Sequence, residues 1–152
     1  MLRLSRKLMF AIEAVVDIAY NATDIPVQSK DIAVRQDIPR RYLEQVLQRL
    51  VREGVLSGVR GPRGGYRLAR ERRRVTLGQI TRIVADMEET TDPVESCTGS
   101  DLGHQVLRPI WQELQDEALA KLDNVSIDDL CRHARDSGVE GACEPAALDF
   151  VI

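Results

Sequence analysis

Residues 59–68 read VRGPRGGYRL, with three glycines, one proline and three arginines in ten positions. Glycines let a backbone approach phosphates closely, so one reading of the stretch is a nucleotide-binding loop. That reading needs a strand, then the glycines, then a helix whose N-terminus faces the phosphate, and a Walker loop also needs Gly-Lys-Ser/Thr. Here the segments 55–59 (VLSGV) and 66–69 (YRLA) both read as short strands, and no Lys-Ser/Thr pair follows the glycines. The stretch is therefore expected at the tip of a β-hairpin.

Toward the N-terminus, Leu43, Val46, Leu47, Leu50 and Val51 recur at i, i+3, i+4, i+7 and i+8, and Gly54 stops the helix they define. Pro39 suits the first turn of that helix. Ser29 is placed to cap a shorter helix through Val34, leaving only 35–38 between the two, which is helix-turn-helix spacing. A first helix over 5–22 carries one apolar stripe of Leu8, Ile12, Val15, Val16 and Ala19. A hairpin directly after a helix-turn-helix reads as a wing. Gly61, Gly64 and Gly65 would permit its tight reversal, and Arg60 and Arg63 would be drawn to the negative potential of a narrowed minor groove. On the second helix the apolar stripe leaves Arg40, Arg41, Glu44, Gln45, Gln48, Arg49 and Arg52 on the other faces. Arginines can bind phosphate or guanine, Gln can pair with adenine, and Glu can accept from cytosine N4. The competing reading is a solvated hairpin and a solvated helix face with pairs such as Arg40–Glu44.

The charge distribution supports the nucleic-acid reading. The chain has a net charge of -3, but residues 1–82 carry 17 Lys+Arg against 8 Asp+Glu, whereas residues 83–152 carry 4 against 16. A half at +9 is the footprint of a polyanion-binding module, and a half at -12 is repelled by the same polyanion. Arg3, Arg6 and Lys7 ahead of an apolar run resemble a secretory leader, but Glu13 and Asp17 interrupt the run, so a cytoplasmic protein is expected. Three cysteines at wide spacing argue against a disulfide framework.

In the second half, Thr76 and Gln79 form a capping box for a helix through Val84. Residues 86–103 read as a linker or site-bearing loop. A long helix follows with Pro109 in its first turn and an apolar face of Leu107, Ile110, Trp111, Leu114, Ala118 and Leu122. Ser126 and Asp129 cap a last short helix through about 134. The tail from 136 has no pattern.

The segments LSRKLMFAIEAVVDIA (4–19), IPRRYLEQVLQRLVREGVLSGVRGPRGGYRLAR (38–70) and VTLGQITRIV (75–84) resemble the Rrf-two family of winged-helix regulators, which includes IscR, NsrR, RirA and CymR. The resemblance implies a mainly α fold with a small β-hairpin wing: a winged helix-turn-helix over 1–85, a sensor or cofactor loop over 86–103, a dimerisation helix and short terminal helix over 104–135, and a tail over 136–152. It also implies that Glu44 matches the glutamate that tunes DNA sequence choice and that Arg60 matches the wing arginine. Cluster-binding members carry three cysteines in the loop, and IscR-like ones add a histidine. With the sequences aligned at Trp111, this chain keeps Cys97 in the loop but has Gln105 in place of the last cysteine and Arg108 in place of the histidine. His104 stands one position away. Cys131 and Cys143 would have to arrive from outside the loop or from the other subunit. Cys97, His104, Cys131 and Cys143 are thus the candidate ligands for an iron–sulfur cluster. Cys131 also shares a stripe with Ile127, Leu130 and Ala134, which reads as a buried inert thiol, and the acidic neighbours Glu95 and Asp101 would raise the Cys97 thiol pKa.

The expected function is a homodimeric DNA-binding repressor reading a near-palindromic operator, with its signal entering through the loop. The alternatives are a cofactor-free regulator controlled by a protein partner or small ligand, an iron–sulfur redox carrier with a vestigial winged helix, and a winged helix used only for protein contacts. His104 and His133 have no acid–base partner in the sequence, so no enzyme is expected.

Overall fold

The computed structural model describes residues 4–88 and 98–141, over which six α-helices and one two-stranded hairpin are built. Helix α1 (Arg6–Tyr20) is capped by Ser5, whose hydroxyl accepts from the Leu8 N–H at 3.1 Å. Its buried stripe of Ala11, Ala14, Val15, Ile18 and Ala19 also contains one carboxylate, Asp17, which is 2% exposed. Arg35 donates to Asp17 through Nε at 2.9 Å and Nη2 at 2.7 Å, and Gln36 Nε2 donates to it at 2.8 Å. Burial of a charge costs stability unless it is paired and hydrogen-bonded, and here three donors meet that demand. The bond to Asp17 in turn pushes the Arg35 pKa further up. Asp17 thereby locks α1 to helix α2 (Ser29–Gln36).

Ser29 does not cap α2. It is the first helical residue, and Gln28 stands at the cap in an extended conformation without a side-chain bond. The reason is tertiary. Val27 exchanges two main-chain hydrogen bonds with Tyr66, N–H to O at 3.0 Å and O from N–H at 2.8 Å, and this bridge holds the chain extended up to the helix start. Helix α2 runs to Gln36, two residues past the expected end, and closes on Asp37 in the left-handed region at φ 51°. Pro39 is the N-cap of helix α3 (Arg40–Arg52) rather than part of its first turn, and its carbonyl accepts from the Leu43 N–H at 3.0 Å. Leu43, Val46, Leu47 and Leu50 are completely buried. The helix ends in a Schellman motif, with Val55 N–H bonded to Leu50 O at 3.0 Å and Gly54 N–H to Val51 O at 3.1 Å.

Strands β1 (Leu56–Val59) and β2 (Gly65–Leu68) pair antiparallel, with Leu56 opposite Leu68 and Val59 opposite Gly65. Of the three tip glycines only Gly61 has a positive φ, 115°. Gly64 and Gly65 are required for another reason: a Cβ would come within 2.2 Å of Val59 O at the first and 2.4 Å of Val27 O at the second. The reversal needs one flexible residue, and close approach of backbone to backbone needs the other two.

Helices α4 (Leu77–Met87) and α6 (Ile127–Asp136) start side by side. Both begin with a complete capping box, Thr76 with Gln79 and Ser126 with Asp129. The two caps face each other across a short bridge in which Leu77 N–H bonds Val125 O at 2.9 Å and Ile127 N–H bonds Val75 O at 2.8 Å. The Ser126 main-chain N–H holds the Asp129 carboxyl below its ordinary pKa. Segments 1–85 and 104–135 do not form separate cores, since Ile127 and Cys131 of α6 are completely buried in the cluster that also holds Val15, Leu47 and Ile80.

Helix α5 (Arg108–Asp123) contains Pro109 in its first turn as expected, but the chain is already helical before it, with a π-turn over Gly103–Leu107. Proline has no N–H to donate and its ring crowds the carbonyl four residues back, which the widened turn relieves. At its other end, α5 is tied to α4 by a bidentate pair, Arg82 Nη1 and Nη2 on Asp123 Oδ1 and Oδ2 at 2.6 and 2.8 Å, which holds the Asp123 carboxyl below its usual pKa. Gly78 lies beneath this pair, and a Cβ there would stand 1.8 Å from Asp123 Oδ1 and 3.0 Å from Asp123 N. Gly78→Ala is expected to displace Asp123 from Arg82 and lower the midpoint of urea denaturation. An unshifted midpoint would mean that α5 gives way at no cost. No helix among the described residues is long and apolar enough to cross a membrane.

Candidate nucleic-acid interface

The amphipathic period of α3 turns its apolar stripe inward and leaves Arg40, Arg41, Glu44, Gln45, Gln48 and Arg52 exposed. Arg60 and Arg63 are exposed at the wing tip. The helix and the wing meet at a groove of about 280 Å³ lined by Arg40 on one side, Gly61 and Pro62 on the other, and Ser29 and Lys30 at the start of α2 between them. Ser29 and Lys30 carry no signal for this role in the sequence, because their place beside the wing follows from the long-range Val27–Tyr66 bridge.

The structure separates the arginines of the basic half into two groups. Arg35 is taken by Asp17, Arg72 and Arg73 by Asp128, and Arg82 by Asp123. Arg49, grouped by sequence with the exposed face of α3, is half-buried and turned toward α4. Its Nε lies 2.9 Å from Glu53 Oε1, close enough for an ion pair but not aligned as a hydrogen bond, and Nη2 lies 3.8 Å from Asp86. Arg40 and Glu44 pair at 3.3 Å along the helix, both well exposed. Arg41, Arg52, Arg60, Arg63 and Lys30 form no ion pair with a carboxylate among the described residues.

Tyr42, on the edge of α3, anchors the helix. Its hydroxyl donates to Lys7 O at 2.8 Å and its ring contacts Phe10 at 5.9 Å between centroids. Burial, with the Glu88 charge nearby, pushes its pKa up to about 12. Glu88 also accepts from Ser5 at 3.1 Å, so the residue from which the 89–97 segment departs is tied to the start of α1 and lies near α3.

Of the four candidate metal ligands, Cys97 and Cys143 lie outside the described residues. Cys131 is completely buried in the core, and burial pushes its thiol pKa up. His104 is half-buried in the π-turn, where its Nδ1 meets the Arg108 guanidinium, which also donates to Thr98 O. A Cβ on Gly99 would be 3.8 Å from His104 Nε2. His104 is thus at the end of the segment that carries Cys97, whereas Cys131 is sealed away. The described residues contain no group of three or more His, Cys, Asp or Glu able to hold a metal.

The profile of the family Rrf2, "Iron-dependent Transcriptional regulator", matches residues 4–133. The chain is 34% identical over 131 residues to the HTH-type transcriptional regulator IscR of Pectobacterium atrosepticum, spanning 85% of this chain and 79% of that one. It is 32% identical over 142 residues to IscR of Escherichia coli, spanning 92% and 86%. Among solved structures it is similar to T. potens IscR, with a TM-score of 0.72, 29% identity and coverage of 91% and 93%. It is also similar to CymR, the global cysteine regulator of B. subtilis, with a TM-score of 0.68, 28% identity and coverage of 88% and 98%. A helix-turn-helix followed by a hairpin wing, joined to relatives of this kind over nearly the whole chain, makes the protein a DNA-binding transcriptional regulator of the Rrf2 family.

Proposed function

We propose that the protein acts as a homodimer on a near-palindromic operator, as a repressor whose signal enters at the 86–103 segment. The observation that carries this reading is the groove where Arg40, Lys30 and the wing tip meet, with Lys30, Arg41, Arg60 and Arg63 paired to no carboxylate among the described residues. Lys30, Arg41 and Arg63 bind phosphates and set the register. Arg60 enters the minor groove. Glu44, Gln45 and Gln48 face base edges in the major groove. Arg49 supports α3 from within and does not touch DNA.

The second subunit docks on α5. Leu107, Ile110, Trp111 and Leu114 are between 39% and 62% exposed in the single chain, an apolar stripe that a monomer in water would not leave open. Binding to a labelled operator tests the reading. Arg60→Ala is expected to weaken binding, most where the flanking minor groove is narrow, whereas Glu44→Ala relaxes choice at one base pair by about 1–3 kcal/mol. Unchanged binding by both would return the face to plain solvent contact.

For the sensor, a cluster held by Cys97 with His104 is the cofactor reading. Anaerobically purified protein is then expected to absorb in the visible range, with the absorption lost in Cys97→Ala and kept in Cys131→Ala, whose thiol is core. A colourless, iron-free protein in which Cys97→Ala binds DNA like the parent would favour a cofactor-free regulator. No catalytic role is proposed.

A further inference from the structure

A cleft of about 460 Å³ opens between the C-terminal end of α1, residues 21–27 and strand β2. That volume falls within the range of about 300–1,000 Å³ occupied by small-molecule sites. Its floor is apolar, formed by Ile18, Ala19, Val27 and Leu68. Two cations stand at its rim, Arg67 from the wing and Arg72 from the turn after it. Arg67 Nη2 donates to the main-chain carbonyl of Asp24, a neutral acceptor, and no carboxylate among the described residues is bonded to it. Arg72 Nε reaches Asp128 at 2.8 Å, but Asp128 is shared with Arg73 at 3.6 Å and Arg132 at 3.3 Å, and only Arg132 has a second carboxylate, Asp129 at 2.6 Å. Of the two lining cations, Arg67 is therefore the one that no carboxylate among the described residues holds, with Arg72 beside it on Asp128. An apolar floor beside an arginine that no carboxylate among the described residues holds is complementary to a molecule with a hydrocarbon body and one anionic end.

We propose that this cleft binds a small amphipathic carboxylate, with its body over Ile18, Ala19, Val27 and Leu68 and its carboxylate on Arg67 beside Arg72. The consequence for DNA follows from position, and it rests on the reading of the hairpin as a DNA-contacting wing. One wall of the cleft is β2 and the other is the segment that leads into α2, and the two are joined by the Val27–Tyr66 bridge. A ligand touching both walls alters how the wing sits against the helix-turn-helix, so it binds the two arrangements unequally and shifts operator affinity.

The test is calorimetric titration of the full chain, without DNA, using octanoate as the probe, octanol as its uncharged counterpart and inorganic phosphate as an anion without an apolar body. Octanoate is expected to bind at least tenfold more tightly than either, with Arg67→Gln weakening it about tenfold, the typical worth of a hydrogen bond to a charged group. Thr23→Trp, a surface change that places an indole at the mouth, is expected to abolish it. Octanol binding as well as octanoate, or octanoate indifferent to both variants, would overturn the proposal. Operator affinity is then measured with and without saturating octanoate, and a change of several fold is expected. Bound octanoate with unaltered operator affinity removes the regulatory role. Octanoate binding by a protein that shows no operator affinity at all leaves the cleft standing and counts against the DNA contacts alone.

Discussion

Lowering the salt from about 200 mM to about 50 mM is expected to tighten operator binding by about a thousandfold. Each phosphate neutralised by Lys or Arg releases condensed counterions, and log affinity falls with log salt at about -0.9 per contact. Three phosphate-binding side chains per subunit, Lys30, Arg41 and Arg63, give about six contacts for a dimer and a slope of roughly -5. The slope is this steep because none of these three has a carboxylate partner among the described residues, so their charge is available to the polyanion. Fluorescence anisotropy of a labelled duplex across a salt series reads the slope directly. A slope near zero would remove the electrostatic basis of the interface, and one half as steep would mean that a single subunit engages the DNA. Lys30→Ala should flatten the slope by about two contacts in the dimer and weaken binding uniformly across sequences, in contrast to Glu44→Ala, which acts on sequence choice.

The largest loss of stability is expected from Asp17→Ala, about 3 kcal/mol, because removing one partner of a buried pair leaves the other side's donors without an acceptor. Arg35 loses two hydrogen bonds and Gln36 one, at the junction that holds α1 to α2. For a domain of this size that corresponds to a fall in Tm of roughly 10 °C. The double variant Asp17→Ala/Arg35→Met is expected to recover part of the loss, since apolar replacement of both partners removes the stranded charge. A Tm unmoved by Asp17→Ala would show that α1 and α2 are held by their apolar contacts alone. Operator binding should suffer in Asp17→Ala even below its Tm, because α2 positions Ser29 and Lys30 at the groove.

The hairpin wing, the amphipathic α3 and the two capping boxes at Thr76 and Ser126 were legible in the sequence because each is set within about ten residues by side-chain periodicity, turn chemistry or a side chain bonding a nearby N–H. The charge division between the halves was legible too, and with it the class of partner. What the sequence alone left undecided concerns distance. Nothing near Ser29 states that Val27 will pair with Tyr66, yet that bridge starts α2 one residue after Gln28 and brings Ser29 and Lys30 beside the wing. Gly64 and Gly65 read as flexible turn residues, and only the packed hairpin shows that they are there for backbone contact. Arg49 and Arg60 are equivalent as letters. The tertiary structure turns the first toward Glu53 and Asp86 and leaves the second without a carboxylate partner among the described residues, because ion pairing depends on which distant segments come within about 4 Å of each other, and a linear pattern carries charges but not separations.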